Sequence, residues 1–175
     1  MNDNRERYRN LIDAVKGREK IRVLFVCLGN ICRSPAAEGV LREIVAEAGE
    51  EPRWEIDSAG TGGWHVGELP DRRMRVHARR RGIELTHRCR QVRVSDFDDF
   101  DLIVPMDANN EKDLRRMAPT LEASGKIVPM ASFLEASSHF DHVPDPYYEG
   151  AEGFEIVLDL LQEGCRNLFE LFKTH

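Results

Sequence analysis

The apolar positions of this chain change period along its length. Residues 5–18 place Tyr8, Leu11, Ile12 and Val15 at i, i+3, i+4 and i+7, which predicts a short amphipathic helix. From Ile21 to Val26 (IRVLFV) the pattern becomes a β-prone run, as for a strand buried on both faces of a parallel sheet. A helix should follow, with Ser34 as candidate N-cap and Pro35 in its first turn, running to about Gly49. WEIDSAG (Trp54–Gly60) reads as a second strand, and the glycine-rich loop from Gly60 to Pro70 carries Trp64. Asp71 opens an arginine-dense helix that stops at Gly82, whose default reading is a solvated face.

The order then repeats. FDLIVPMD (Phe100–Asp107) predicts a third strand, with Asp107 capping a helix that ends before Pro119. KIVPM (Lys126–Met130) predicts a fourth strand, and a loop through DHVPDPYYEG leads to a last helix from about Ala151 to Lys173. Strands alternating with helices imply a single-domain α/β fold: an open, four-stranded parallel twisted sheet flanked by helices. Ligands of such sheets bind beyond the carboxyl ends of the strands, where Cys27 stands. Residues 1–20 are expected to form an N-terminal extension, either packed on the core or used in self-association, and residues 21–175 the domain proper.

Composition narrows the class. With 175 residues, 41% hydrophobic and 32% charged, the chain is long enough for one real core. A net charge of −6 argues against nucleic acid as a partner. No apolar stretch approaches a membrane span, and MNDNRERYRN is too polar for a signal peptide. Cys27, Cys32, Cys89 and Cys165 without a secretion signal point to reduced thiols in the cytoplasm.

VCLGNICRSP (Val26–Pro35) concentrates the chemistry. Backbone N–H groups at a helix start lack intrahelical partners, and the helix dipole adds positive character there. Gly29 and Asn30 tolerate positive backbone dihedrals, which fold successive N–H groups into an anion nest. Arg33 supplies a planar fork for two phosphate oxygens. The field that holds a phosphate also favours thiolate over thiol at Cys27, and Ser34 can donate a further hydrogen bond to that sulfur. For an isolated C-x5-R pattern, a core cysteine would be the commoner outcome; strand, glycine, asparagine, arginine, serine and proline in this order favour a nucleophile. A metal site on Cys27 and Cys32 lacks a further Cys/His pair nearby in sequence.

This stretch resembles the signature of low-molecular-weight protein tyrosine phosphatases. DSAGT (Asp57–Thr61), HRCRQV (His87–Val92), DFDDFDLIVPMD (Asp96–Asp107) and DPYY (Asp145–Tyr148) occur in that family's order and spacing, from about Arg22 onward. The resemblance implies phosphotyrosine hydrolysis through a cysteinyl-phosphate on Cys27, without metal or cofactor. Leu28, Gly29, Asn30, Ile31, Cys32, Arg33 and Ser34 would then form the phosphate loop. It makes Asp145 the general acid, where residue chemistry alone favours an ordinary turn between Pro144 and Pro146. It places Trp64, Tyr147 and Tyr148 at the cleft walls and Asn30, Ser58 and His87 in a network bracing the loop. Spacing and resemblance together make Cys32 the thiol that captures an oxidised Cys27. The implied partners are a phosphotyrosine-containing protein and a tyrosine kinase that would make it.

Two positions depart from the family: Cys89, where relatives often carry alanine, and Pro105 inside the third strand. Three other readings share the loop. Arsenate reductases need a downstream cysteine pair, and only Cys89 and Cys165 are available. Protein-arginine phosphatases carry threonine where this chain has Ile31. A non-enzymatic phosphate-binding module would not need Cys27, Arg33 and Asp145 together.

Overall fold

The computed structural model describes residues 4–147 and 150–173. Two short helices, α1 (Asn4–Arg7) and α2 (Arg9–Lys16), precede β1 (Ile21–Cys27) and α3 (Arg33–Glu47). β2 (Trp54–Gly60) leads to α4 (Arg72–Arg79), and α5 (Asp96–Asp99) leads to β3 (Leu102–Pro105) and α6 (Ala108–Met117). The chain closes with α7 (Leu121–Ser124) and the long α8 (Ala151–Phe172).

The sheet is parallel with order β2-β1-β3, so the central strand is the one that ends in Cys27. Side chains alternate across a strand. Val23, Phe25 and Cys27 therefore join the cluster formed with α3 and α8, while Leu24 and Val26 join Phe97 and Leu114 on the other face. Both faces are covered, which is why β1 reads as one β-prone run. Register pairs Cys27 with Gly60, setting the strand ends side by side.

The sheet has three strands, not the four expected. Ile103 makes one parallel bridge with Ile127: its N–H donates to Lys126 O at 2.9 Å and its carbonyl accepts from Val128 N at 2.9 Å. The next bond of that ladder would need an N–H from Pro105, which has none. Pairing stops there, and Met130–Phe133 turns into a 3-10 helix.

The predicted helix over 5–18 divides at Tyr8 into α1 and α2. Tyr8, Ile12 and Val15 are buried in the main cluster with Leu11 packed beside them, so the apolar stripe covers the core. Asp71 and Asp107 cap α4 and α6 as expected, accepting from Arg73 N and Met74 N and from Asn110 N. Ser34 does not cap α3. The cap position belongs to Cys32, and Ser34 is turned inward, fully buried. At the end of α4, Arg79 pairs with Glu84, and Arg81 just beyond it pairs with Glu155 and Asp159, so these two charges are already matched.

Candidate active site

The loop from β1 to α3 is fixed from outside through its carbonyls. Cys27 O accepts from Thr61 N (2.9 Å), Leu28 O from Gly62 N (2.8 Å) and Ile31 O from Asp71 N (2.7 Å). Asn30 O accepts the Cys89 thiol at 2.8 Å. A trans peptide sets its N–H opposite its C=O. The N–H groups of Leu28, Gly29, Ile31 and Cys32 are thereby turned away from these outer partners, toward the inside of the loop. Among the described residues, none of them donates to a backbone carbonyl. Gly60 allows this close packing: a Cβ there would stand 2.8 Å from Leu28 O and 3.0 Å from Asn30 N.

Asn30 holds the turn at φ 57° and is completely buried. Its amide donates to Ser34 Oγ (2.8 Å) and Ser58 Oγ (3.0 Å), and its Oδ1 accepts from Arg90 N (2.9 Å) with His87 Nε2 at 2.8 Å. Ser58 Oγ donates in turn to Glu38 Oε1 at 2.9 Å, and His87 Nδ1 lies 3.1 Å from the same oxygen. A strained residue persists only when its surroundings over-determine it, and these bonds do so. Asn30, Ser58 and His87 are thus joined in one hydrogen-bonded group. Glu38, Asp57 and His87 cluster closely enough to suggest a cation site, but Arg42 and Ser58 engage Glu38, Arg90 engages Asp57, and Asn30 engages His87.

Ser34 Oγ lies 3.0 Å from Cys27 Sγ. Arg33 is 3% exposed; its Nη1 donates to Asp107 Oδ2 at 2.6 Å and to Val143 O at 3.0 Å, and its Nη2 is 3.6 Å from Asp145 Oδ2. Burial works against the Arg33 charge, but Cys27, Asp107 and Asp145 outweigh it and hold the group above the usual arginine value. Burial, reinforced by Asp71 and Cys27, pushes the Cys32 thiol up, and Cys89 is pushed up to about 11, chiefly by burial. Both are neutral thiols at physiological pH.

A cleft of about 300 Å³ opens over these groups, lined by Cys27, Leu28, Gly29, Ile31, Cys32, Arg33, Trp64, His65, Asp145 and Tyr147. Trp64 is 70% exposed, and its ring covers Gly62 so closely that a Cβ there would clash. Ser34, Asn30, Ser58 and His87 lie behind the cleft rather than in it, and Tyr148 falls outside the described residues. Sequence reasoning missed Glu38 and His65, named Cys89 only as a departure from the family, and assigned Asp107 only a capping role. HRCRQV and the Trp64–His65 dipeptide were in view, but nothing in their spacing announced contacts across the fold.

A family profile described as low molecular weight phosphotyrosine protein phosphatase matches residues 22–175. The Bacillus subtilis low molecular weight protein-tyrosine-phosphatase YfkJ is 47% identical over 149 residues, covering 85% of this chain and 93% of that protein. Among solved structures, a protein tyrosine phosphatase from Entamoeba histolytica with Hepes in its active site superposes with a TM-score of 0.83 at 40% identity, covering 86% of this chain and 96% of the other. A Drosophila arginine phosphatase superposes with a TM-score of 0.81 at 33% identity, covering 88% and 99%.

Proposed function

Because the chain belongs to the low molecular weight phosphotyrosine protein phosphatase family, we propose that it hydrolyses phosphotyrosine in proteins through a cysteinyl-phosphate on Cys27. The observation that carries this reading is the meeting of Cys27, Arg33 and Asp145 at one cleft, beside a loop whose Leu28, Gly29, Ile31 and Cys32 N–H groups donate to no backbone carbonyl among the described residues. The Cys27 thiolate attacks phosphorus while Arg33 and the loop N–H groups hold the non-bridging oxygens. Asp145 protonates the departing phenolate oxygen. As carboxylate it then takes a proton from the water that attacks the cysteinyl-phosphate, returning the Cys27 thiolate and releasing phosphate. Each proton is accounted for, and no metal or cofactor enters the scheme.

Leu28, Ile31, Trp64 and Tyr147 offer apolar and aromatic walls to a phenyl ring. Ile31 also separates this reading from protein-arginine phosphatases, which carry threonine there; an apolar side chain suits a flat aromatic group better than a guanidinium. The arsenate reductase reading loses support because Cys165 is buried in the core against Ala37 O, leaving Cys89 without the second downstream thiol that reading needs. A non-enzymatic module would have no use for Asp145. We take residues 21–175 as the catalytic unit and residues 1–20 as an appendage whose Tyr8, Ile12 and Val15 are buried against its core. A tyrosine kinase acting on the same proteins is the partner this activity requires, and four unpaired cysteines fit a reducing compartment such as the cytoplasm. Among the described residues, no helix is long and apolar enough to cross a membrane.

The test is hydrolysis of p-nitrophenyl phosphate, a phosphotyrosyl peptide and a phosphoarginyl peptide, each in the presence of a metal chelator. The wild type should turn over the first two and strongly prefer phosphotyrosine to phosphoarginine. Cys27→Ser should be inactive, and Asp145→Asn should lose about 100-fold or more. Activity surviving Cys27→Ser, or a preference for phosphoarginine, would overturn the reading.

A further inference from the structure

The general acid sits on a short span between two anchors. Upstream of Asp145, Val143 is completely buried; its N–H donates to Met106 O at 2.9 Å and its carbonyl accepts from Arg33. Downstream, the Tyr147 carbonyl accepts from Arg73 Nη2 at 3.0 Å. Within the span, Asp145 Oδ1 accepts the Tyr147 N–H at 3.0 Å, so the position of Tyr147 is passed directly to the carboxyl group.

Arg73 is well made for the downstream post. Asp71 grips its guanidinium at two points, Nε to Oδ1 at 3.2 Å and Nη2 to Oδ2 at 3.1 Å. The guanidinium carbon lies 4.9 Å from the Phe154 ring centroid and 5.6 Å from that of Tyr147. A planar fork gripped along one edge by a carboxylate has little orientational freedom left. Asp71 is in turn the residue whose N–H donates to Ile31 O in the phosphate loop. Both halves of the active site are thus tied to α4: the phosphate loop through the Asp71 backbone, the acid loop through the Asp71 carboxylate and Arg73.

We propose that Arg73 is a positioning residue that sets the place of the Asp145 carboxyl over the leaving group, so that proton donation depends on it; this rests on the reading of Asp145 as general acid. Loss of Arg73 removes one hold on the downstream end of the span, the bond to the Tyr147 carbonyl, without touching Cys27, Arg33 or the N–H groups of the loop. The deficit should therefore appear in leaving-group protonation rather than in phosphate binding.

The experiment compares kcat/KM for p-nitrophenyl phosphate and phenyl phosphate in wild type, Arg73→Ala, Arg73→Lys and Asp145→Asn. The phenol of the second ester has a pKa of about 10 and needs the proton far more than the acidic nitrophenol. Arg73→Ala should lose about 10-fold on phenyl phosphate and three-fold or less on the nitrophenyl ester, with phosphate inhibition unchanged. Arg73→Lys, which keeps charge and fold but not the fork, should fall between it and wild type. Equal losses on both esters, or an unaltered ratio in a folded Arg73→Lys, would overturn the proposal while leaving Asp145 in place if Asp145→Asn shows the steep dependence. An Asp145→Asn without that dependence would remove the acid assignment and the proposal together.

Discussion

Ser34 Oγ lies 3.0 Å from Cys27 Sγ and accepts the Asn30 amide at 2.8 Å, which leaves its own hydrogen for the sulfur. The competing acceptor, Ala59 O, is farther at 3.3 Å. A hydrogen bond to a charged group contributes about 1.5–3 kcal/mol. Ser34→Ala should therefore lower kcat by roughly 10- to 100-fold and slow the inactivation of Cys27 by iodoacetate at neutral pH. Its melting temperature should fall only slightly, since Asn30 keeps Ser58 and His87. Unchanged alkylation would show that Ser34 does not serve the thiolate.

Gly60→Ala should damage the enzyme from the neighbouring strand. The added Cβ meets the backbone of Leu28, Gly29 and Asn30 at 2.8–3.0 Å, and that backbone is held in place by the Asn30 side chain through its bonds to Ser34, Ser58 and His87. Overpacking of this kind costs about 1–3 kcal/mol. Calorimetry should show the loss of stability, and phosphate should bind more weakly. Wild-type phosphate affinity in Gly60→Ala would contradict the claim that this contact shapes the loop.

The elements that position the site were largely legible in the sequence, because each announces itself locally. β2 spans Trp54–Gly60 as WEIDSAG reads, and Asp71 and Asp107 cap helices because a carboxylate before a helical period has few other uses. The fourth strand failed for a reason also present in the sequence: Pro105 withholds the donor that Lys126–Met130 needed. What stayed hidden were contacts between distant segments. Ser34 turns inward to serve Cys27 and Asn30 instead of capping α3, and Asp107, 74 residues from Arg33, serves it as well as α6. Periodicity reports which face a residue occupies, not which side chain from another element will meet it there.

Asp71 should make part of the protein's stability depend on acid pH. Burial opposes its ionisation, but hydrogen bonds from Arg73 and the Met74 N–H prevail and hold the carboxyl below its usual value. A depressed carboxylate stabilises the fold fully above the unfolded value of about 3.9, and this stabilisation is lost as pH falls through the lower folded value. Asp71→Asn, which can still cap α4, should be less stable than wild type at neutral pH, with the gap closing below about pH 4. Asp71→Ala loses the cap as well, about 1 kcal/mol more. Denaturant titration across pH checks both; a gap constant with pH would assign the loss to packing alone.

Cys32 should protect the nucleophile. Peroxide converts the Cys27 sulfur to sulfenic acid; attack by the Cys32 sulfur forms the disulfide and releases water. Burial keeps Cys32 a thiol at rest, and oxidation of Cys27 removes one of the charges that hold it so. After peroxide and then dithiothreitol, wild type should regain most activity and Cys32→Ala little. Equal recovery would leave Cys32 without a redox role.

The covalent intermediate tests the account most directly. Acid quenching of the enzyme during turnover of a phosphate-labelled phosphotyrosyl peptide should trap close to one label per active site, and mass spectrometry should place the phosphorus on Cys27. Cys27→Ser should trap none and release no phosphate. Turnover without label on Cys27, or label on another residue, would contradict it.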